Sequence, residues 1–123
     1  MSDTVPRACQ TPIIDTSLGL LSTGGDPDLL SELVSIFLQT VPAQLERMKA
    51  AIATGDNETA RREAHSLKGA AGALGAAGIQ RLAADIEVLA AQGNLETAQP
   101  MLELIARLVS QLEQEYAAKN PLT

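Results

Sequence analysis

"LLSELVSIFLQTVPAQLERMKAAI", residues 29–52, is the longest stretch of the chain that keeps one hydrophobic period. Leu29, Leu30, Leu33, Val34, Phe37, Leu38, Val41, Leu45, Met48 and Ile52 recur near every 3.6 residues, so they line one broad face of a helix. Just upstream, Asp26 is placed to act as an N-cap. Pro27 falls in the first turn, where its missing N–H would have no helical partner. Pro42 interrupts the run, which therefore reads as one kinked helix of about 27 residues or as two shorter ones. Thr54, Gly55 and Asp56 end it.

Working outward, Ile13, Ile14, Leu18 and Leu21 suit a short helix over about 14–22, closed by "TGGDP". Residues 1–12 hold Pro6 and Pro12 and have no period, which suits a flexible tail. Downstream, a third helix should begin near Asn57 with the stripe Ala60, Ala64, Leu67, Ala71 and Leu74, spaced alternately four and three apart. "GAAG" at 75–78 should be a turn. A fourth helix carries Ile79, Leu82, Ala83, Ile86, Leu89 and Ala90 and stops at "QGN", 92–94. A fifth carries Leu95, Ala98, Leu102, Ile105, Leu108, Val109 and Leu112 and frays before Pro121. "ATGDNETA" at 53–60 and "AAQGNLETA" at 90–98 are similar turns with helix starts, not an internal repeat. No segment alternates like a strand. Wide stripes joined by short loops predict an all-α fold: an antiparallel four-helix bundle with an additional short N-terminal helix across one end. The expected organisation is a tail at 1–12, a bundle at 13–118 and a C-terminal tail at 119–123.

Composition agrees with one small domain. The 123 residues are 46% hydrophobic, yet the only aromatics are Phe37 and Tyr116, so Leu, Ile, Val, Met and Ala must build the core. The formal net charge of -6 argues against a nucleic-acid surface, which concentrates positive charge. Cys9 is the single cysteine, so no internal disulfide forms, which suits a reducing compartment. The longest weakly apolar run, Gly69–Ile79, is far short of the roughly 20 residues a spanning helix needs. With no signal peptide in view, a cytoplasmic location without direct membrane insertion is expected.

The third helix carries the chemistry. His65 lies one residue off the Ala64–Leu67–Ala71 stripe. Its neighbours one and two turns away are Arg61, Arg62, Lys68, Gly69 and Gly72. The chain's one histidine thus has cations and bare backbone on its own helical face, and no carboxylate there. A glycine inside a helix costs roughly 1 kcal/mol relative to alanine, so two on one face need a compensating reason. Either another body approaches the imidazole across them, or they permit tight packing within the bundle. Both point away from the core stripe, which favours approach by a partner.

Other chemistries for His65 fare poorly. An idle exposed histidine is the bland alternative. A structural zinc site needs about four ligands, and Cys9 is remote in sequence. Ser66 follows His65 directly and cannot face it on a helix, so no hydrolytic triad forms. "GAAGALGAAG" lacks the Lys-Ser/Thr of a phosphate-binding P-loop.

"AHSLKGAAGALGA", Ala64–Ala76, closely resembles the signature of histidine-phosphotransfer domains: a histidine, a hydrophobic residue two later, Lys-Gly, and a Leu-Gly near the end. "ELVSIFLQTVPAQLERM" before it is similar to the family's second helix, and "LAADIEVLAAQGN" after it to the helix beside the phosphorylated one. The resemblance covers roughly residues 13–116. It implies phosphorylation of His65 on its outer ring nitrogen, with the ammonium of Lys68 offered to the phosphoryl oxygens. Gly69 would clear space for the partner. Glu87 falls where the family places a polar residue, often glutamine, that bonds the inner ring nitrogen and fixes the tautomer. Arg61, Arg62 and Gly72 complete the expected docking face. Gly72 departs mildly from the family, which more often has Ala or Ser there.

Physical chemistry supports that expectation. Free imidazole titrates near pH 6.5 and is nucleophilic at neutral pH. Phosphoryl transfer needs in-line geometry and charge neutralisation. The chain supplies a nucleophile and one or two cations but no nucleotide loop and no acid cluster placed for Mg²⁺. A partner receiver domain must therefore bring the Mg²⁺, the aspartate and most of the catalysis. The expected function is relay of phosphate from one receiver's aspartyl phosphate to another's aspartate, without autokinase activity or a cofactor of its own. The partners would be response-regulator receivers, a hybrid sensor histidine kinase, or both, and the domain would be a monomer. An acidic helical adaptor that is never phosphorylated is the alternative. An autokinase dimerisation domain fits less well: an acidic residue beside the histidine and a proline soon after are usual there, whereas Ser66 follows His65 and the next proline is Pro100.

Overall fold

Five α-helices and one 3₁₀ turn make up the described residues, 13–119, of the computed structural model. In chain order they are α1 (Thr16–Ser22), α2 (Pro27–Thr54), α3 (Asn57–Leu74), α4 (Ala77–Ala91), the 3₁₀ turn Leu95–Thr97 and α5 (Gln99–Lys119). The N-terminal tail expected at 1–12, with Cys9, lies outside the described residues, as do 120–123 of the C-terminal one.

The long periodic stretch is one continuous helix. The Asp26 carboxylate accepts the N–H groups of Asp28 and Leu29, at 3.0 and 3.2 Å, which satisfies two orphan donors of the first turn. Pro42 sits inside α2 without ending it. It removes one N–H but lies on the exposed side of the helix, while Val41 and Met48 beside it are fully buried. Packing of that face outweighs the lost bond. Gly55, at φ 73°, terminates α2 in the left-handed conformation that glycine adopts at least cost. Asp56 then caps α3 by accepting from the Thr59 N–H at 3.1 Å.

α2 to α5 form an antiparallel bundle in which α2 packs on α3, α3 on α4, α4 on α5, and α5 back on α2. The α3–α4 contact is the most extensive. Ala60, Ala64 and Ala71 on α3 and Ala83 and Ala90 on α4 are buried, and such small side chains let two helix axes come close. Larger side chains, among them Met48, Leu67, Ile79, Ile86 and Ile105, fill the centre. α1 closes the end of the bundle where α3 stops. The Asp15 N–H donates to the Gly75 carbonyl at 2.8 Å, and the Ser22 hydroxyl donates to the Ala73 carbonyl. Gly19 is buried there: a Cβ on it would lie 2.7 Å from the Leu74 carbonyl oxygen, so no larger residue fits.

Two boundaries differ from the sequence expectation. α4 begins at Ala77, so the turn before it is only Gly75 and Ala76. Gly75, at φ 80°, completes the reversal in fewer residues than "GAAG" suggested. The fifth helix starts at Gln99, not Leu95. Pro100 is tolerated only in a first turn, so the chain makes a separate 3₁₀ turn whose Leu95 is buried, and α5 begins after it.

Candidate functional site

Burial sets the rotation of the two helices that carry the site. On α3, Ala64, Leu67 and Ala71 are fully buried, which pins that stripe inward and leaves His65 at the edge with its side chain 66% exposed. On α4, Ala83, Ile86 and Ala90 are buried, which leaves Glu87 at the facing edge. The close α3–α4 packing brings the two edges together. His65 Nδ1 lies 2.9 Å from Glu87 Oε2, and Lys68 Nζ lies 2.7 Å from Glu87 Oε1. One carboxylate thus bridges the histidine and the lysine one turn later.

The charge state of that carboxylate determines what the imidazole can do. The hydrogen bond from Lys68 pulls the Glu87 carboxyl below its ordinary value, desolvation partly opposes this, and the bond to His65 pulls in the same direction as Lys68. Glu87 is therefore ionised at neutral pH and only accepts. A neutral His65 must donate from Nδ1, so Nε2 carries the lone pair. The site consequently holds the ring tautomer from one side on a side chain that is 66% exposed.

The remaining expected residues fall into different environments. Arg61 is tied to Glu58, with Nη2–Oε2 at 2.8 Å, so part of its charge is neutralised on its own helix. Arg62 is exposed. Gly69 is also exposed, and a Cβ there would meet nothing within 4 Å. Gly72 is different and corrects the expectation that both glycines face away from the bundle. It is half-buried, and a Cβ on it would come 2.7 Å from the amide nitrogen of Gln80 on α4. Its bareness accommodates a neighbouring side chain of the same molecule rather than open space.

One network was not anticipated. Glu63, two residues before His65, accepts from Arg47 Nε at 2.9 Å and Nη2 at 3.3 Å and from Gln44 Nε2 at 3.3 Å. It fastens α3 to α2 on the side of α3 away from Glu87. No local spacing announces it, because the partners lie 16 and 19 residues apart across a turn. Among the described residues, no group of three or more His, Cys, Asp or Glu side chains could hold a metal ion. None of the described helices is long and apolar enough to cross a membrane.

A family model described as "Hpt domain" matches residues 32–115, a span that contains His65, Lys68 and Glu87. The chain belongs to the Hpt domain family. As an Hpt domain it is a histidine-phosphotransfer module, not a kinase, and it works with receiver domains in the phosphorelays of two-component signalling. The all-α fold is also that of a solved Hpt domain. The crystal structure of the HPT domain from the Hpt sensor hybrid histidine kinase of Shewanella superposes with a TM-score of 0.69. The two are 23% identical, and the match covers 89% of this chain and 92% of that one. At that identity the likeness speaks for the fold. No curated protein sequence matches this Hpt domain.

Proposed function

We propose that His65 is the residue of this Hpt domain that carries phosphate, on Nε2. It takes the phosphoryl group from the aspartyl phosphate of one receiver domain and passes it to the aspartate of another. The observation that carries the assignment is the pairing of Nδ1 with the Glu87 carboxylate on a histidine whose side chain is 66% exposed. Glu87 orients the ring. Lys68, within one turn, supplies positive charge to the phosphoryl oxygens. Arg61, Arg62 and the open backbone at Gly69 form the docking face. Gly72, packed against Gln80, contributes less directly.

The receiver provides the Mg²⁺ and the reacting carboxylate, and the domain binds no nucleotide and needs no cofactor of its own. It acts as a cytoplasmic monomer that neither binds nucleic acid nor inserts into membranes. Its partners are receivers of response regulators, of a hybrid sensor histidine kinase, or of both. The test is incubation with a phosphorylated receiver. Wild-type protein should take up acid-labile, base-stable label, and His65→Gln should take up none while keeping its helical circular dichroism, because an exposed helical position tolerates a helix former. A wild-type domain that binds the receiver without taking up label is an adaptor. Stoichiometric labelling of the His65→Gln variant would place the phosphate elsewhere.

A further inference from the structure

The partner on Nδ1 has a consequence for the phosphorylated state. A glutamine side chain can either accept a proton through its oxygen or donate one through its amide, so it satisfies a ring nitrogen in either protonation state. An ionised carboxylate can only accept. Glu87 is held in that ionised state by the ammonium of Lys68, 2.7 Å from Oε1, while Oε2 faces Nδ1 at 2.9 Å. The groups that face the ring are therefore Glu87 from α4 and Lys68 from α3, with Arg61 further off and engaged with Glu58. The hydrogen-bond partner of Nδ1 is Glu87 Oε2, which cannot donate to it, and the Lys68 ammonium is engaged by the other oxygen of the same carboxylate.

We propose that Glu87 keeps a proton on Nδ1 through both half-reactions, which makes His65 a site of rapid release rather than of phosphate storage. This rests on the assignment of His65 as the phosphorylated residue. In the first half-reaction the O–P bond of the donor aspartyl phosphate breaks, and its electron pair returns to the donor carboxylate. The Nε2 lone pair forms the N–P bond. Nδ1 retains its proton, and the ring becomes a cation paired with Glu87. In the second half-reaction the acceptor carboxylate forms the new O–P bond, and the N–P electron pair returns to Nε2 as a lone pair. The ring leaves as neutral imidazole with its proton still on Nδ1. No proton is taken up or released by the ring in either direction.

Protonation of Nδ1 matters because the leaving group would otherwise be an imidazolate, a far stronger base and a far poorer leaving group. A partner that only accepts extends the protonated, transfer-ready form to higher pH. An amide partner allows the phosphorylated ring to shed its proton as pH rises and to become inert. Lys68 acquires a second duty here: besides neutralising phosphoryl charge, it keeps Glu87 ionised and positioned.

The experiment loads wild-type and Glu87→Gln proteins from a phosphorylated receiver, then follows single-turnover transfer to an unphosphorylated, Mg²⁺-loaded receiver from about pH 6 to about pH 9. A receiver-only control corrects for its own titration. The wild-type rate should stay nearly level, and the Glu87→Gln rate should decline across the alkaline half of the range with a slope that approaches about tenfold per pH unit. Nitrogen-15 spectra of the unphosphorylated wild-type ring should show the Nδ1–H tautomer dominant. Superimposable pH profiles, or a wild-type ring mainly protonated on Nε2, would overturn the inference while leaving the phosphorylation site intact. Failure of the wild-type protein to load at all would remove the assignment of His65, and this inference with it.

Discussion

Gly69→Leu should separate stability from transfer. Gly69 lies one turn after His65 on an exposed face, and a Cβ there meets nothing within 4 Å. The folded chain therefore has room for the side chain. Glycine is about 1 kcal/mol worse than alanine in a helix interior and leucine nearly as good as alanine, so the replacement should stabilise the domain by about 0.8 kcal/mol. For a domain of this size that corresponds to a melting temperature about 3–5 °C higher. Transfer should move in the opposite direction. A leucine projects roughly 4 Å from the backbone, about one van der Waals contact distance, into the space a receiver must occupy to bring its aspartate to Nε2. Small misplacements of in-line reactants cost large rate factors, and transfer should fall at least about 100-fold, or about 2.7 kcal/mol of activation free energy. Thermal melting followed by circular dichroism and single-turnover transfer of label measure the two effects on the same sample. Loss of folding would show that Gly69 packs within the bundle. A folded variant that transfers at the normal rate would show that the receiver does not dock over this turn. Gly72→Leu is the natural contrast: it must displace the end of the exposed Gln80 side chain, so the melting temperature should rise less than for Gly69→Leu.

Leu67→Ala should cost about 2–5 kcal/mol in urea titrations, because Leu67 is fully buried between the helices and the cavity it leaves cannot collapse easily. A loss under about 1 kcal/mol would mean that α3 is not packed as described. Acid melts should reveal the Glu87 linkage. Its folded carboxyl titrates below the ordinary value, so its contribution to stability is complete above about pH 4.5 and disappears as pH falls through the folded value. The stability difference between wild type and Glu87→Gln should therefore shrink from about pH 6 to about pH 3, and a difference that grows on acidification would contradict the ionised Lys68–Glu87 pair. Sedimentation equilibrium at about 50 μM should give a monomer mass, and a stable dimer would point to a bundle completed between chains.

Much of this was legible in the sequence because helices are local objects. The period of Leu29 to Ile52, the caps at Asp26 and Asp56 and the breaks at Gly55 and Gly75 all depend on residues a few positions apart, and they suffice to delimit α2 and α3. The stripe Ala60–Ala64–Leu67–Ala71 likewise determined that His65 stands at the edge of the core, with Lys68 and Gly69 one turn away. Tertiary structure decided what no local spacing encodes. Whether Pro42 broke α2 depended on a buried face that packs against other helices. Gly69 and Gly72 are equivalent as letters in one motif, yet only the arrival of Gln80 from α4 makes one open and the other filled. Above all, Glu87 is 22 residues from His65. Its meeting with Nδ1 at 2.9 Å depends on the rotation of α4, which is set by the burial of Ala83, Ile86 and Ala90 against the small side chains of α3. The sequence placed the histidine at the edge of its helix, and the packing of two alanine-lined helices determined which of its nitrogens meets Glu87.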